Sequence, residues 1–394
     1  MIDPKPKTPN NQQVEVVVTG IGFASALGDL EASWQNLLLG KSGLQLRQPF
    51  PELPPFPLAT IAESPTDFLE LTERVVAAAL QDAGLVPPLP DCGVVIGSSR
   101  AQQGNLERLS RAAKSIDGGE LPISSPLNWL DSLPHMGAIT AAGQIGSTGS
   151  VLAPMAACAT GIWAIARGFE LLQTGECQRA IVGAVETPIT PLTLAGFDRM
   201  GALAQTGSYP FDRRREGLAL GEGAAILVLE TAELARSRNA PIYGRILGFG
   251  ATADAHHVCA TEPGGKSAIV AAKQCLERSD LSPGDIGYIH AHGTSTQLND
   301  RSEAGLIQTL FPQGVPVSST KGATGHTIGA SGALGAVFCL LALKHQVLPP
   351  CVGLREPEFN LDFVTAARPT SLGHALCFSF GFGGQNAVLA LGDF

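Results

Sequence analysis

Short apolar runs rich in β-branched residues alternate along most of this chain with longer segments whose apolar positions recur every three to four residues. The short runs predict strands at 14–19, 93–96, 151–155 and 180–184, and again at 243–249, 286–290, 315–318 and 387–391. Helical spacing fills 71–83, 162–173, 266–278 and 334–345. Such alternation predicts an α/β architecture with mainly parallel, buried sheets. At 394 residues the chain exceeds one ordinary core, so two halves are expected, 14–240 and 241–394, behind a polar tail at 1–13. The junction is placed near Ala240, after a helical stretch at 232–238. A repeated pattern supports the division. Both Met155-Ala156-Ala157-Cys158 and Ser318-Ser319-Thr320-Lys321 lead from a strand through a corner into a helix dense in Gly and Ala. Helices with such small side chains pack closely, so the two are expected back to back at the centre.

Composition narrows the class. Hydrophobic residues make up 44% and charged residues 15%, as in a protein with extensive buried layers, and the net charge of −9 argues against a nucleic-acid partner. The eight cysteines form no C-x-x-C pair, which suggests neither a disulfide framework nor a zinc knuckle. The tail lacks the apolar core of a signal peptide, and no run of eighteen apolar residues is uninterrupted, so no membrane insertion is expected. A reducing cytoplasmic compartment fits best.

Candidate chemistry centres on Cys158, between the strand-like 148–155 and the helix that follows. Free N–H groups and the helix dipole at such a corner favour thiolate and can receive an oxyanion. The bland reading is an inert, buried cysteine. Two histidine motifs accompany it: His290-Ala291-His292-Gly293-Thr294-Ser295-Thr296 after a strand, and Gly325-His326 in a Gly/Thr/Ser-rich loop. A His-x-His pair suits a metal, but alternate strand residues face opposite ways and no matching acidic or sulfur ligands follow, so no metal is expected.

Taken together, Cys158, His292 and His326 in these settings resemble the β-ketoacyl-[acyl-carrier-protein] synthases, the elongating type with a Cys-His-His triad. The likeness spans nearly the whole chain, from Val16–Gly22 and Trp34–Gly43 through Phe211–Ala224 to Phe378–Asn386. It implies a thiolase-like fold of two pseudo-symmetric halves in five α-β-α-β-α layers, paired as a homodimer. It implies acyl transfer from carrier-protein phosphopantetheine to Cys158. Decarboxylation of malonyl-carrier protein and attack on the acyl thioester follow, extending the chain by two carbons without a cofactor of the enzyme's own. On the same resemblance, His292 and His326 donate N–H bonds to the enolate, and the N–H groups of Cys158 and Phe382 form the oxyanion hole. Lys321 keeps an imidazole neutral, Glu303 pairs with that lysine, and Thr294 and Thr296 hold the pantetheine arm. Arg100, Phe197 and Phe380 fall among the substrate-binding positions. A ketosynthase of a specialised polyketide or lipid pathway is the alternative; a non-catalytic chain-length partner subunit is disfavoured by the intact triad.

Several positions depart from the family pattern. Arg100 stands where a small or apolar residue usually floors the acyl tunnel, so either it meets an acid at the dimer interface or the tunnel is shortened and acyl length restricted. Cys259 replaces a hydroxyl near pantetheine, a contact Thr261 can take over; Gln385 replaces Thr, and His290 stands where Asn is usual. The usual docking lysines are missing from the acidic stretch 62–74. Arg108, Arg111 and Lys114, or the run Arg213-Arg214-Arg215, are the replacement candidates for an acidic carrier protein.

Overall fold

A computed structural model describes residues 14–114 and 129–394, apart from the side chains of 113 and 114; the predicted tail at 1–13 lies outside them. The alternating pattern folds into an eleven-stranded sheet surface made of two similar blocks. The first runs Val151–Leu152, Gly93–Gly97, Arg179–Glu186, Gly223–Thr231, Val16–Ser25. The second, from its far edge, runs Asp362–Phe363, Pro316–Ser318, Tyr288–His290, His374–Gly381, Gln385–Gly392, Gly244–Ala253. Setting aside Asp362–Phe363, both blocks order their strands 3-2-4-5-1 when each is counted along the chain. Val16–Val18 pairs with Gly244–Ile246 and joins the blocks. Ala240 lies in the connection between the helix Ala232–Ser237 and the strand Gly244–Ala253.

Side-chain alternation sorts the strands into layers. In His374–Gly381, Ala375 and Cys377 face the centre while Leu376 and Phe378 face outward. The outer face of the first block packs on the helices Phe68–Asp82 and Met136–Ile145. That of the second packs on Lys266–Arg278 and Gln297–Leu310. Between the blocks lie Thr160–Gln173 and Ser331–His345, completing five layers. These two helices touch through glycine: a Cβ on Gly161 would sit 2.5 Å from the Ala333 nitrogen, and one on Gly332 2.8 Å from Ile162 Cγ1. The stretch Ile328–His345 is long and apolar enough to cross a membrane, and 89% of it is buried inside this protein.

Two expectations are corrected. The sheets are mixed, not mainly parallel: Arg179–Glu186, Gly223–Thr231 and Val16–Ser25 pair antiparallel, as do His374–Gly381 and Gln385–Gly392. The last pair is a hairpin turned by Gly383 and Gly384, whose φ of 78° and 71° few other residues adopt. The strand predicted at 151–155 shrinks to Val151–Leu152, half-buried at the sheet edge, because Pro154 cannot donate to a ladder.

Candidate active site

Cys158 sits one residue before Ala159, the N-cap of the helix Thr160–Gln173. Its corner is tight. Ala157 has φ 48°, a left-handed conformation costly for a residue with a Cβ. The Thr160 hydroxyl donates to the Ala157 carbonyl at 2.7 Å and accepts from the Ala156 N–H at 2.8 Å. From the second half, Ser379 Oγ donates to the Cys158 carbonyl at 2.8 Å. The next strand end, at Gly381, approaches so closely that a Cβ there would lie 2.9 Å from the Cys158 nitrogen.

The thiol is only 7% exposed. Burial pushes it up to about 11, while Lys321, the Phe382 N–H and Arg100 pull the other way and Glu186 adds to the rise. A helix N-terminus offers an anion about 0.3–1 kcal/mol, less than one pK unit (about 1.4 kcal/mol). On this balance burial outweighs the pull that the helix N-terminus exerts on Cys158.

His326 is fixed by both halves. Its N–H donates to the Ala219 carbonyl at 2.7 Å and its carbonyl accepts from the Gly221 N–H at 3.0 Å. Gly325, at φ 66°, has no room for a Cβ beside Ala59. The Ile328 N–H donates to His326 Nδ1 at 3.1 Å, and Ser331 Oγ lies 2.9 Å from the same atom. Nδ1 is thus the acceptor, and the ring proton of the neutral imidazole belongs on Nε2.

The His292 ring meets that of His326 edge-to-face at 5.4 Å, and Phe380 closes over it at 6.0 Å. His292 Nδ1 is buried with no hydrogen-bond partner among the described residues. Burial, then Lys321, holds both imidazoles well below the ordinary histidine range, so both are neutral. The Cys158 thiol and one nitrogen of each ring lie within 4.8 Å of one another.

Lys321 and Glu303 are also brought here, in an arrangement that corrects the expected pairing: they grip one backbone from two sides rather than forming a direct ion pair. Lys321 Nζ donates to the His292 carbonyl. Glu303 accepts from the N–H groups of His292 and Gly293 at 2.6 and 2.7 Å. Burial pushes Glu303 up and Lys321 down, while each favours the other's charged form. A soft divalent cation would fit the Cys-His-His spacing, but the buried Lys321 ammonium opposes a further cation and leaves the cluster better suited to an oxyanion.

Thr294 and Thr296 share a 2.9 Å hydroxyl contact and line a cavity of about 320 Å³ together with Cys158, His292, His326 and Phe380. Cys259 and Thr261 also line it, and Cys259 is exposed with its sulfur 3.6 Å from His257 Nδ1. His290 does not join the site. It faces the core, with Nε2 3.1 Å from Thr320 Oγ1 and Nδ1 3.9 Å from Cys377 Sγ. Arg100 lies beyond Phe197 and Phe382, against a second cavity of about 720 Å³, where no acid among the described residues reaches it.

Sequence reasoning missed three buried charged residues, two acids and an arginine, that brace these loops. Glu186 accepts from Ser98 Oγ and from the N–H groups of Ser99, Arg100 and Gly329 at 2.8–2.9 Å, tying the halves together behind His326. Asp300 holds the Phe211 and Ser295 N–H groups. Arg215 is buried against Asp300 and Glu358, so it is removed from the docking candidates. Arg214 pairs with Asp212, Arg111 lies 3.6 Å from Glu52, and only Arg213 of the triple run is exposed without an ion pair among the described residues. The side chain of Lys114 lies outside the described residues.

A nucleophilic thiol facing two neutral imidazoles between two like halves defines a thioester-handling site. The beta-ketoacyl synthase N-terminal domain family matches residues 59–235, and the C-terminal domain family matches 243–355. The chain belongs to the beta-ketoacyl synthase family. It is 34% identical to the 3-oxoacyl-[acyl-carrier-protein] synthase 2 of Mycobacterium bovis, covering 96% of this chain and 97% of the relative. It is 33% identical to the protein of that name from Staphylococcus aureus, covering 98% and 99%. Among solved structures, a ketosynthase bound to a hexaketide, in complex with its type II polyketide acyl-carrier protein, superposes with a TM-score of 0.90. The two are 27% identical over 97% of this chain and 100% of that one.

Proposed function

We propose that this enzyme is an elongating 3-oxoacyl-[acyl-carrier-protein] synthase of fatty acid biosynthesis. The observation that carries the reading is the His326 tautomer: the Ile328 N–H occupies Nδ1, so the ring proton stands on Nε2, in a cluster where the Cys158 sulfur and one nitrogen of each ring lie within 4.8 Å. Cys158 gives up its proton and attacks the acyl thioester, and the pantetheine thiol leaves with a proton. The N–H groups of Cys158 and Phe382 take the oxyanion charge of that step. Malonyl-carrier protein then loses CO2, and the enolate oxygen receives N–H bonds from His292 and His326. Its carbon attacks the acyl-Cys158 carbonyl, the C–S bond breaks to release the lengthened 3-oxoacyl product, and the departing Cys158 thiolate takes up a proton from solvent. Two neutral imidazoles suit this role, since an imidazolium would give up its proton to the enolate. No cofactor or metal of the enzyme's own is needed, because the carrier protein brings the phosphopantetheine.

The family match and the names of the relatives support this reading, as does the solved complex of a ketosynthase with its carrier protein. An acidic carrier protein is the proposed partner, with Arg213 and Arg108 as docking cations. A homodimer is proposed from the unpaired sheet edge at Val151–Leu152 and the exposed Met155 nearby in sequence. The eight free cysteines suit a reducing cytoplasm. The second cavity favours a second reading, the same chemistry in a specialised polyketide or lipid pathway.

The deciding assay supplies malonyl-carrier protein and a ladder of acyl-carrier proteins and reads products by mass. Cys158→Ala should lose the 3-oxoacyl product by about three orders of magnitude or more while retaining malonyl decarboxylation. Condensation that survived in Cys158→Ala would refute the mechanism.

A further inference from the structure

Beyond the catalytic cavity lies the larger one of about 720 Å³, and Phe197, Met200 and Phe382 line both. The Phe197 and Phe382 rings stand 6.0 Å apart at this boundary. Past it, Leu106, Leu192, Phe197 and Met200 offer apolar surface suited to methylenes. Arg100 breaks that apolar lining. Its guanidinium lies over the Phe197 ring, 5.5 Å from the centroid, and its Nε is buried with no hydrogen-bond partner.

A guanidinium is charged at every working pH, and leaving its buried donors unmade is costly. The nearby acids are already engaged. Glu186 takes the Arg100 backbone N–H and three further donors. Glu107, also at this cavity, accepts from Gln103 Nε2 and from the Leu192 N–H. Arg111 lines the same space but is turned to Glu52, 3.6 Å away. Among the described residues, Arg100 thus presents a buried Nε donor beside apolar lining, without the acceptor that would complete it.

Resting on the acyl-transfer reading above, we infer that the second cavity holds the far end of the acyl chain and that Arg100 binds a carboxylate carried there. The preferred donors are then acyl groups whose terminal carbon is a carboxylate rather than a methyl. The methylenes cross the Phe197–Phe382 boundary, the thioester carbonyl stays at Cys158, and the distal carboxylate accepts from the Arg100 guanidinium.

The test compares octanoyl- and suberoyl-carrier protein, equal in length and different only at the distal carbon, as donors to Cys158. Intact-protein mass gives kcat/KM for loading, with butyryl-carrier protein as the control for a working thiol. The suberoyl group should load at least about ten-fold faster, the worth of one charge-assisted bond. Arg100→Met should invert that ratio, and Arg100→Lys should keep part of it. Equal or faster loading of octanoyl by the unmodified enzyme overturns the inference, and this result needs no variant to fold. If Arg100→Met leaves the ratio unchanged but turns a dimer into a monomer by light scattering, the missing acid belongs to a second copy and the inference fails. Loading of butyryl but neither longer group defeats the inference and spares the acyl-transfer reading. Loading of no acyl group at all defeats both.

Discussion

In the half that carries Cys158, the reactive corner is laced by backbone and hydroxyl groups. Ala157 is held at φ 48° and the Thr160 hydroxyl ties two peptides. In the half that carries His292 and His326, the equivalent ground is held by buried charge: Glu303 and Lys321 grip the His292 peptide, and Asp300 braces the loop behind it. The strand order is the same in both. The difference follows the chemistry. A nucleophile needs direction and room, which a strained turn supplies, while two neutral imidazoles need a positive neighbour that disfavours their protonation, and that ammonium needs an acid of its own.

This contrast predicts that the two half-reactions break separately. The largest effect is expected from His326→Ala, which should slow malonyl decarboxylation by about a hundred- to a thousand-fold and leave acyl loading on Cys158 within a few-fold. Equal loss of both would show that the halves do not divide the work. Lys321→Met should come next, with about ten- to a hundred-fold lost in decarboxylation. It should also let the imidazoles take up a proton, shifting the acid limb of the kcat profile to higher pH; an unmoved limb would exclude Lys321 from holding them neutral. On the thiol side, Cys158 alkylation by iodoacetamide should climb about ten-fold per pH unit from neutrality upward, because the thiolate fraction grows until the raised pKa is reached. A plateau near pH 7 would instead show a preset thiolate. The smallest change is Ala157→Gly, which should raise thermal stability by relieving about 1 kcal/mol of left-handed strain while slowing loading through a looser corner.

The sequence made the local patterns legible and left the distant partnerships hidden. The spacing predicts the helix Lys266–Arg278 end to end, because its apolar face repeats cleanly against a charged one. The strand Gly223–Thr231 is not legible in the sequence: it is apolar on both faces, and a run of that kind has no alternation to show. The three reactive residues stand in motifs a few residues long, so their neighbours in sequence are their neighbours in the site. Glu186 and Arg215 gave no such sign. Glu186 looks like the polar end of a strand until Gly329 arrives, and Arg215 looks like a solvated charge until Asp300 and Glu358 enclose it. Arg100 lies between these cases: its oddity was readable, but the cavity it faces is built by residues from three separate stretches.

The bond from Ser379 to the Cys158 carbonyl joins residues 221 positions apart. Contacts of such separation close late, since the loop entropy must be met before they contribute. During synthesis the first half emerges with its nucleophile long before the strand that covers it exists. The buried, protonated thiol of the finished protein is therefore a property acquired only when the chain is complete, and until then Cys158 is an ordinary reactive cysteine dependent on a reducing surrounding to reach its place intact.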